Sequence, residues 1–440
     1  MNYTKLFRIN IALVLGVLCL QIHVFAQNAD GLINQLKEFP EVVSVQKIEN
    51  NPFFKESYEI YIEQFLNHKN PSEGKFRQRV ILSDYNRYSP VVFVAEGYDA
   101  EYAMKPSYIN ELSKILEANQ LVVEHRFFGK SVPEGKNWGY LTMQSASDDL
   151  HRIQRIFKRL YNNQNKWIVT GISKGGTNTL AYKAFYPDDA DIWVPYVGPV
   201  NFAVEDGRHE KFLKAVGSQT CREKLLQFQR SILTQREAIQ PLFDSLVKAR
   251  NYSFRIPPEQ VLDYCVLEYS FAFWQWGTNC AAIPADSTPI RVQLNHLVEV
   301  CSPDYFSNEG TAPMQSFFIQ AAKEMGYYGY DVKALKPLLK IKDAEGYLSE
   351  IFIPEGLAFK FDKKTSKFIE KTVNANGKHV LMIYGETDPW SASGFNLKNP
   401  KSGAVKMVIP KASHRVRIEN MPLAEKAQVY MLLETWLNED

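Results

Sequence analysis

Ser173 stands in Gly171-Ile172-Ser173-Lys174-Gly175, between the apolar run Trp167–Thr170 and a helical stretch from Thr177 to Phe185. A serine hydroxyl attacks a carbonyl carbon only when a base takes its proton, and a sharp strand-to-helix turn presents that hydroxyl clear of its neighbours. Small residues two before and two after the serine are needed because backbone closes in on both sides. The five-residue pattern is common by itself, and its strand-turn-helix context gives it weight. A base and an orienting carboxylate should then follow in the order Ser, Asp or Glu, His. Asp388 lies in Tyr384-Gly-Glu-Thr-Asp-Pro-Trp390 and His414 in Lys411-Ala-Ser-His-Arg415, each directly after a strand-like run. Of the seven histidines beyond residue 26, His414 alone follows both other residues and sits in such a loop. Glu386 is the second choice of acid. The oxyanion of an acyl-transfer intermediate needs two N–H donors, one from Lys174 and one from the loop Ala95-Glu-Gly-Tyr98, through Tyr98 or Gly97.

The elements that must position these residues alternate. Tyr58–Gln64 and Arg77–Leu82 have strand periodicity around the turn Asn70-Pro-Ser-Glu-Gly74. Pro90–Ala95, Gln120–Glu124 and Trp167–Thr170 read as buried strands, with helices over Ile109–Asn119 and Ser147–Tyr161 between them. From about Asn201 to Glu370 the texture becomes helical: Lys211–Arg250 is charged and periodic, and Tyr264–Trp276 is dense in aromatics. Strand-like runs return at His379–Tyr384 and Ala404–Ile409, followed by a final helix over Ala424–Leu437. The pattern predicts an α/β core with a mainly parallel sheet over residues 27–200 and 371–440. A largely helical insertion, 201–370, should cover the strand ends where such sheets bind ligands.

Composition limits the alternatives. The chain has 440 residues, 51 basic against 49 acidic, and no long basic block, so electrostatic binding to nucleic acid has little support. Apolar residues at 45% and aromatics at 13% supply a large core and exclude a disordered chain. Lys5 and Arg8 precede an apolar run, Ile9–Leu20, that ends in Val24-Phe25-Ala26. That pattern is a secretory signal cleaved after Ala26, leaving an exported chain, periplasmic or extracellular, with zero net charge and no membrane anchor. Cys19 leaves with the signal. Cys221, Cys265, Cys280 and Cys301 remain, without the close pair of a zinc site, and are expected to form one or two disulfides stapling the insertion.

Several segments in order carry a resemblance: Tyr61-Ile-Glu-Gln-Phe-Leu-Asn-His68, Phe76-Arg-Gln-Arg79, Glu96-Gly-Tyr98, Glu124-His-Arg-Phe-Phe-Gly129 with Ser131 and Pro133, Gly171–Gly176, Phe185-Tyr-Pro187, Phe271-Ala-Phe-Trp-Gln275 and Ser413-His414. Together they resemble the S37 family of secreted serine peptidases, tripeptidyl aminopeptidases of the PS-10 type, over nearly the whole chain. Part is shared with the prolyl carboxypeptidase and dipeptidyl peptidase relatives. Phe65-Leu-Asn67 departs from the family pattern, in an early strand. The resemblance implies an α/β-hydrolase core, a helical cap, cleavage at free N-termini, and triad roles for Ser173, Asp388 and His414, with no metal or organic cofactor.

An enzyme that removes short N-terminal peptides must hold an ammonium, and a buried carboxylate does that best. Glu96, beside the oxyanion loop, and Glu268, in the insertion, are the expected partners. Trp274, with Phe271, Phe273 and Trp276, is expected to line side-chain pockets. Glu124 and Arg126 read as a buried structural pair. Three competing readings remain at this level: a secreted carboxylic-ester hydrolase, a dipeptidyl or prolyl-specific peptidase of the related S28 type, and a catalytically dead binding protein on the same scaffold, against which the intact triad argues.

Overall fold

The computed structural model describes residues 31–161 and 165–439. The expected signal segment lies outside the described residues.

One nine-stranded sheet organises the chain: β1 (Val42–Ile48), β2 (Glu56–Phe65), β3 (Lys75–Asp84), β4 (Val91–Ala95), β5 (Asn119–Val123), β6 (Trp167–Ile172), β7 (Ile192–Tyr196), β8 (Leu381–Gly385) and β9 (Val405–Ile409), in spatial order β1-β2-β3-β5-β4-β6-β7-β8-β9. The first three strands form an antiparallel ribbon, and β3 joins β5 antiparallel. From β5 to β9 all pairings are parallel. The cause is legible in the side chains. β4, β5, β7 and β8 are buried at every position, as strands covered on both faces must be.

Helices α1 (Met143–Leu160), α2 (Lys174–Phe185), α7 (Lys364–Ala375) and α8 (Leu423–Leu437) flank the sheet. Between β7 and β8 the chain passes through α3 (Gln219–Thr234), α4 (Arg236–Ala249), α5 (Pro258–Trp276) and α6 (Ile290–Val300). α5 is apolar around most of its circumference, which fits a helix enclosed by neighbours. α3, α4 and α6 all pack on it. Buried Asp263 anchors it by pairing with Arg236 and accepting from the N–H groups of Lys340 and Ile341 at 2.6 and 2.9 Å. Cys221 and Cys280 form a disulfide between the start of α3 and the loop after α5, whereas Cys265 and Cys301 are buried free thiols.

Several elements differ from expectation for local reasons. The helix expected over Ile109–Asn119 shrinks to Glu111–Ile115, because Glu117 takes a left-handed φ of 47° and Asn119 belongs to β5. The Asn119 side chain holds the preceding loop, accepting from the N–H of Tyr85 at 2.8 Å and donating to the Asn86 carbonyl at 2.8 Å. The Lys211–Arg250 run splits at Gly217 (φ 63°) and at Gln235. α1 starts four residues before its expected position because Thr142 caps it, accepting from the Ser145 N–H at 3.0 Å.

Candidate active site

The turn around Ser173 explains its glycines. Ser173 has φ 58° and ψ −119°, a conformation that a non-glycine residue adopts only when its surroundings hold it there. A Cβ on Gly171 would sit 2.3 Å from the Gly175 carbonyl oxygen and 2.8 Å from that of Ala95. On Gly176 it would meet the Tyr196 carbonyl at 2.5 Å and the Gly198 Cα at 3.0 Å. The turn is therefore wedged between the ends of β4 and β7, and it carries the serine on the C-terminal edge of the sheet. Gly97 presses onto it from β4, where a Cβ would lie 2.7 Å from the Gly175 nitrogen and from the Lys174 Cβ. Among the described residues the Tyr98 N–H has no acceptor, and the Lys174 N–H opens α2 without one. The Gly97 N–H is already engaged by the Glu96 carboxylate at 3.2 Å, which favours Tyr98 as the second donor.

Asp388 and His414 come together across β8 and β9. The His414 Nδ1 lies 2.7 Å from the Asp388 Oδ2, with both residues buried. The other Asp388 oxygen accepts from the Trp390 N–H at 3.1 Å, so the carboxylate is fixed at both ends. The His414 N–H donates to the Gln275 carbonyl at the end of α5 at 3.0 Å, tying the histidine loop to the helical insertion. Trp276 meets the imidazole edge to face, with centroids 6.0 Å apart. Glu386 points elsewhere. It is exposed and accepts from the Lys411 N–H at 2.8 Å.

Ser173 and His414 line one cavity of about 1150 Å³, roofed by the insertion. Glu96, Tyr98 and Glu268 line it too. Glu96 accepts from the Tyr102 hydroxyl, and burial raises its carboxyl to about 7. Glu268 accepts from the hydroxyls of Tyr328 and Tyr330 at 2.9 and 2.8 Å. Burial raises it to about 8. Both acids thus have neutral hydrogen-bond donors and no ion-pair partner among the described residues.

Two expectations need correction. Trp274 does not face this cavity: it points to the other side of α5, against Gly217, and lines a separate cavity of about 260 Å³. Trp276, two residues on, takes the place beside His414. Glu124 and Arg126 are buried and structural, but each has its own partner. Glu124 pairs with Arg79 at 2.5 Å, and Arg126 with Asp149 at 2.7 Å. The tyrosines that surround Glu268 were not among the expected site residues. Their signal was present in Gly326-Tyr327-Tyr328-Gly329-Tyr330, where three phenols crowd one short loop. No cluster of potential metal ligands occurs among the described residues.

Residues 33–437 match the family model described as PS-10 peptidase S37. The chain belongs to that family. It is a serine peptidase on the α/β-hydrolase fold. It is 27% identical over 381 residues to the prolyl tri/tetrapeptidyl aminopeptidase of Streptomyces mobaraensis, an alignment covering 85% of this chain and 78% of that one. A 143-residue stretch is 27% identical to prolyl carboxy peptidase like protein 5 of Caenorhabditis elegans, covering 30% of this chain and 28% of the other. Among solved structures, the proline iminopeptidase of Mycobacterium smegmatis is similar with a TM-score of 0.44 and 14% identity, over 86% of this chain and 98% of that one.

Proposed function

We propose that this peptidase is exported and removes short peptides, tripeptides first among them, from free N-termini through an acyl-enzyme. Ser173 Oγ attacks the scissile carbonyl carbon as its proton passes to His414 Nε2, the ring nitrogen left free by the bond to Asp388. The C–O bond forms, and the oxyanion takes hydrogen bonds from the N–H groups of Lys174 and Tyr98. Collapse breaks the C–N bond, and the imidazolium gives its proton to the departing amine. Water then repeats the sequence on the ester, with His414 as base, and frees the peptide. Asp388 holds the imidazole and stays ionised throughout.

The observation that carries the exopeptidase reading is that Glu96 and Glu268 share the roofed cavity with Ser173 and neither forms an ion pair among the described residues. A substrate ammonium would supply the missing charge. The name of the Streptomyces mobaraensis relative supports the same reading. The test compares a tripeptide-nitroanilide, its N-blocked counterpart and a short-chain nitrophenyl ester. Turnover of the free-amine peptide alone is expected. Equal turnover of the blocked peptide would remove the N-terminal requirement, and turnover of the ester alone would make the protein an ester hydrolase. Ser173→Ala should abolish labelling by a fluorophosphonate probe, and labelling that persists would assign the nucleophile to another serine. Sequencing the N-terminus of the exported protein, expected to begin at Gln27, tests the signal segment.

A further inference from the structure

Lys174 is unusual for a lysine. The residue is 1% exposed, and its Nζ finds no hydrogen-bond partner among the described residues. Burial pushes its ammonium well below the ordinary lysine value, and Glu324 and Glu96, within electrostatic range, oppose that without bonding it. The ammonium instead lies 4.9 Å from the ring centroid of Phe128 and 5.8 Å from that of Tyr98. Those two rings meet edge to face at 5.6 Å, and Phe317 closes on Tyr98 from the insertion at 5.7 Å. A buried lysine left without an acceptor costs stability, so its retention beside the nucleophile asks for a return in function.

The location suggests one. The lysine stem runs beneath Gly97, close enough that a Cβ there would meet its Cβ and Cγ at 2.7 and 2.9 Å. Its far end then reaches the ring of the very next residue. The backbone of Lys174 supplies one free N–H at the turn, and the loop that its side chain grips supplies the other. We infer that Lys174 is a positioning residue for the oxyanion hole: its side chain clamps Tyr98 through a cation–π contact and so fixes the second N–H donor. A desolvated cation–π contact is strong because no water competes for the cation. A hydrogen-bond donor preorganised in a water-excluded site acts chiefly on the transition state.

This inference rests on Ser173 being the nucleophile, and the experiment separates the two claims. Wild type, Lys174→Met and Lys174→Arg are titrated with a fluorophosphonate to count functional sites, and kcat and KM per site are measured on the tripeptide-nitroanilide. A peptide boronate serves as the transition-state probe. Lys174→Met, similar in volume and uncharged, should lose about 10- to 100-fold in kcat with KM little changed, and boronate affinity should fall in parallel. Lys174→Arg should recover part of the loss. A Met variant with a lowered melting temperature but wild-type kcat per titrated site would overturn the inference and leave Ser173 untouched. Failure of the wild type to label or turn over would overturn the parent reading. Should Lys174→Met not fold, Phe128→Leu removes one of the two rings and must show the same kcat-selective loss, and a wild-type kcat there refutes the clamp.

Discussion

Among the described residues Glu268 is held by two phenols and by no cation, and that has consequences for both binding and stability. Glu268→Gln should lower kcat/KM for the free-amine tripeptide substrate by about 10- to 100-fold, the worth of a charged hydrogen bond, with little effect on an N-blocked one. The same change in Glu96 ranks the two acids, since the one that touches the amine shows the larger loss of preference. The native carboxyl of Glu268, at about 8 against an ordinary 4.5, binds its proton more tightly than in the unfolded chain. Its contribution to stability is therefore complete below about pH 4.5 and is lost as pH rises through about 8. Melting curves of wild type and Glu268→Gln should run close together at pH 5, where both side chains are neutral, and separate by pH 9 with the wild type lower, and parallel curves would mean an ionised native carboxyl. At this scale the sequence was readable where chain order constrained it. His414 and Asp388 were singled out by position after strands, and they meet at 2.7 Å. Trp274 was misjudged because two aromatics two residues apart on a helix point in widely different directions, and composition cannot choose between them.

The strand-turn-helix unit from β6 to α2 is set by steric exclusion. Gly176→Ala would drive a methyl group against the backbone of Tyr196 and Gly198, which belongs to a neighbouring strand end and has little room to yield. It should cost about 1–3 kcal/mol and most of the activity. Gly207→Ala, with open space around it and an ordinary φ of −59°, should stay within about 0.5 kcal/mol of wild type. Chemical denaturation of both variants checks the pair, and equal effects would contradict the wedge. Elements with strong periodicity were legible: most core strands and α1, α2 and α8 were anticipated within a few residues. β7 was not, because Pro195 interrupts an apolar run that reads poorly as a central strand. The short helix before β5 was overestimated because nothing in local periodicity announces the left-handed Glu117.

At the scale of the whole molecule, the helical insertion is joined to the core by bonds at the site itself. The His414 N–H donates to the Gln275 carbonyl, and His209 contacts the Pro389 carbonyl at 3.0 Å, one residue from Asp388. Loosening the insertion should therefore be felt in catalysis. Replacing Cys221 and Cys280 with serine should destabilise the insertion by about 2–4 kcal/mol and lower kcat on heating before the core sheet melts. Thiol mapping of the unreduced protein should find Cys265 and Cys301 unpaired, and a second disulfide would alter this account. The sheet also closes late along the chain, since β7 finds its partner β8 only after the entire insertion, with Tyr196 beside Ile383. The hydroxyl on one side of that seam is complete long before the imidazole on the other has been synthesised. On the proposed triad, a growing polypeptide therefore lacks its base until β9 and the loop that follows it have been made.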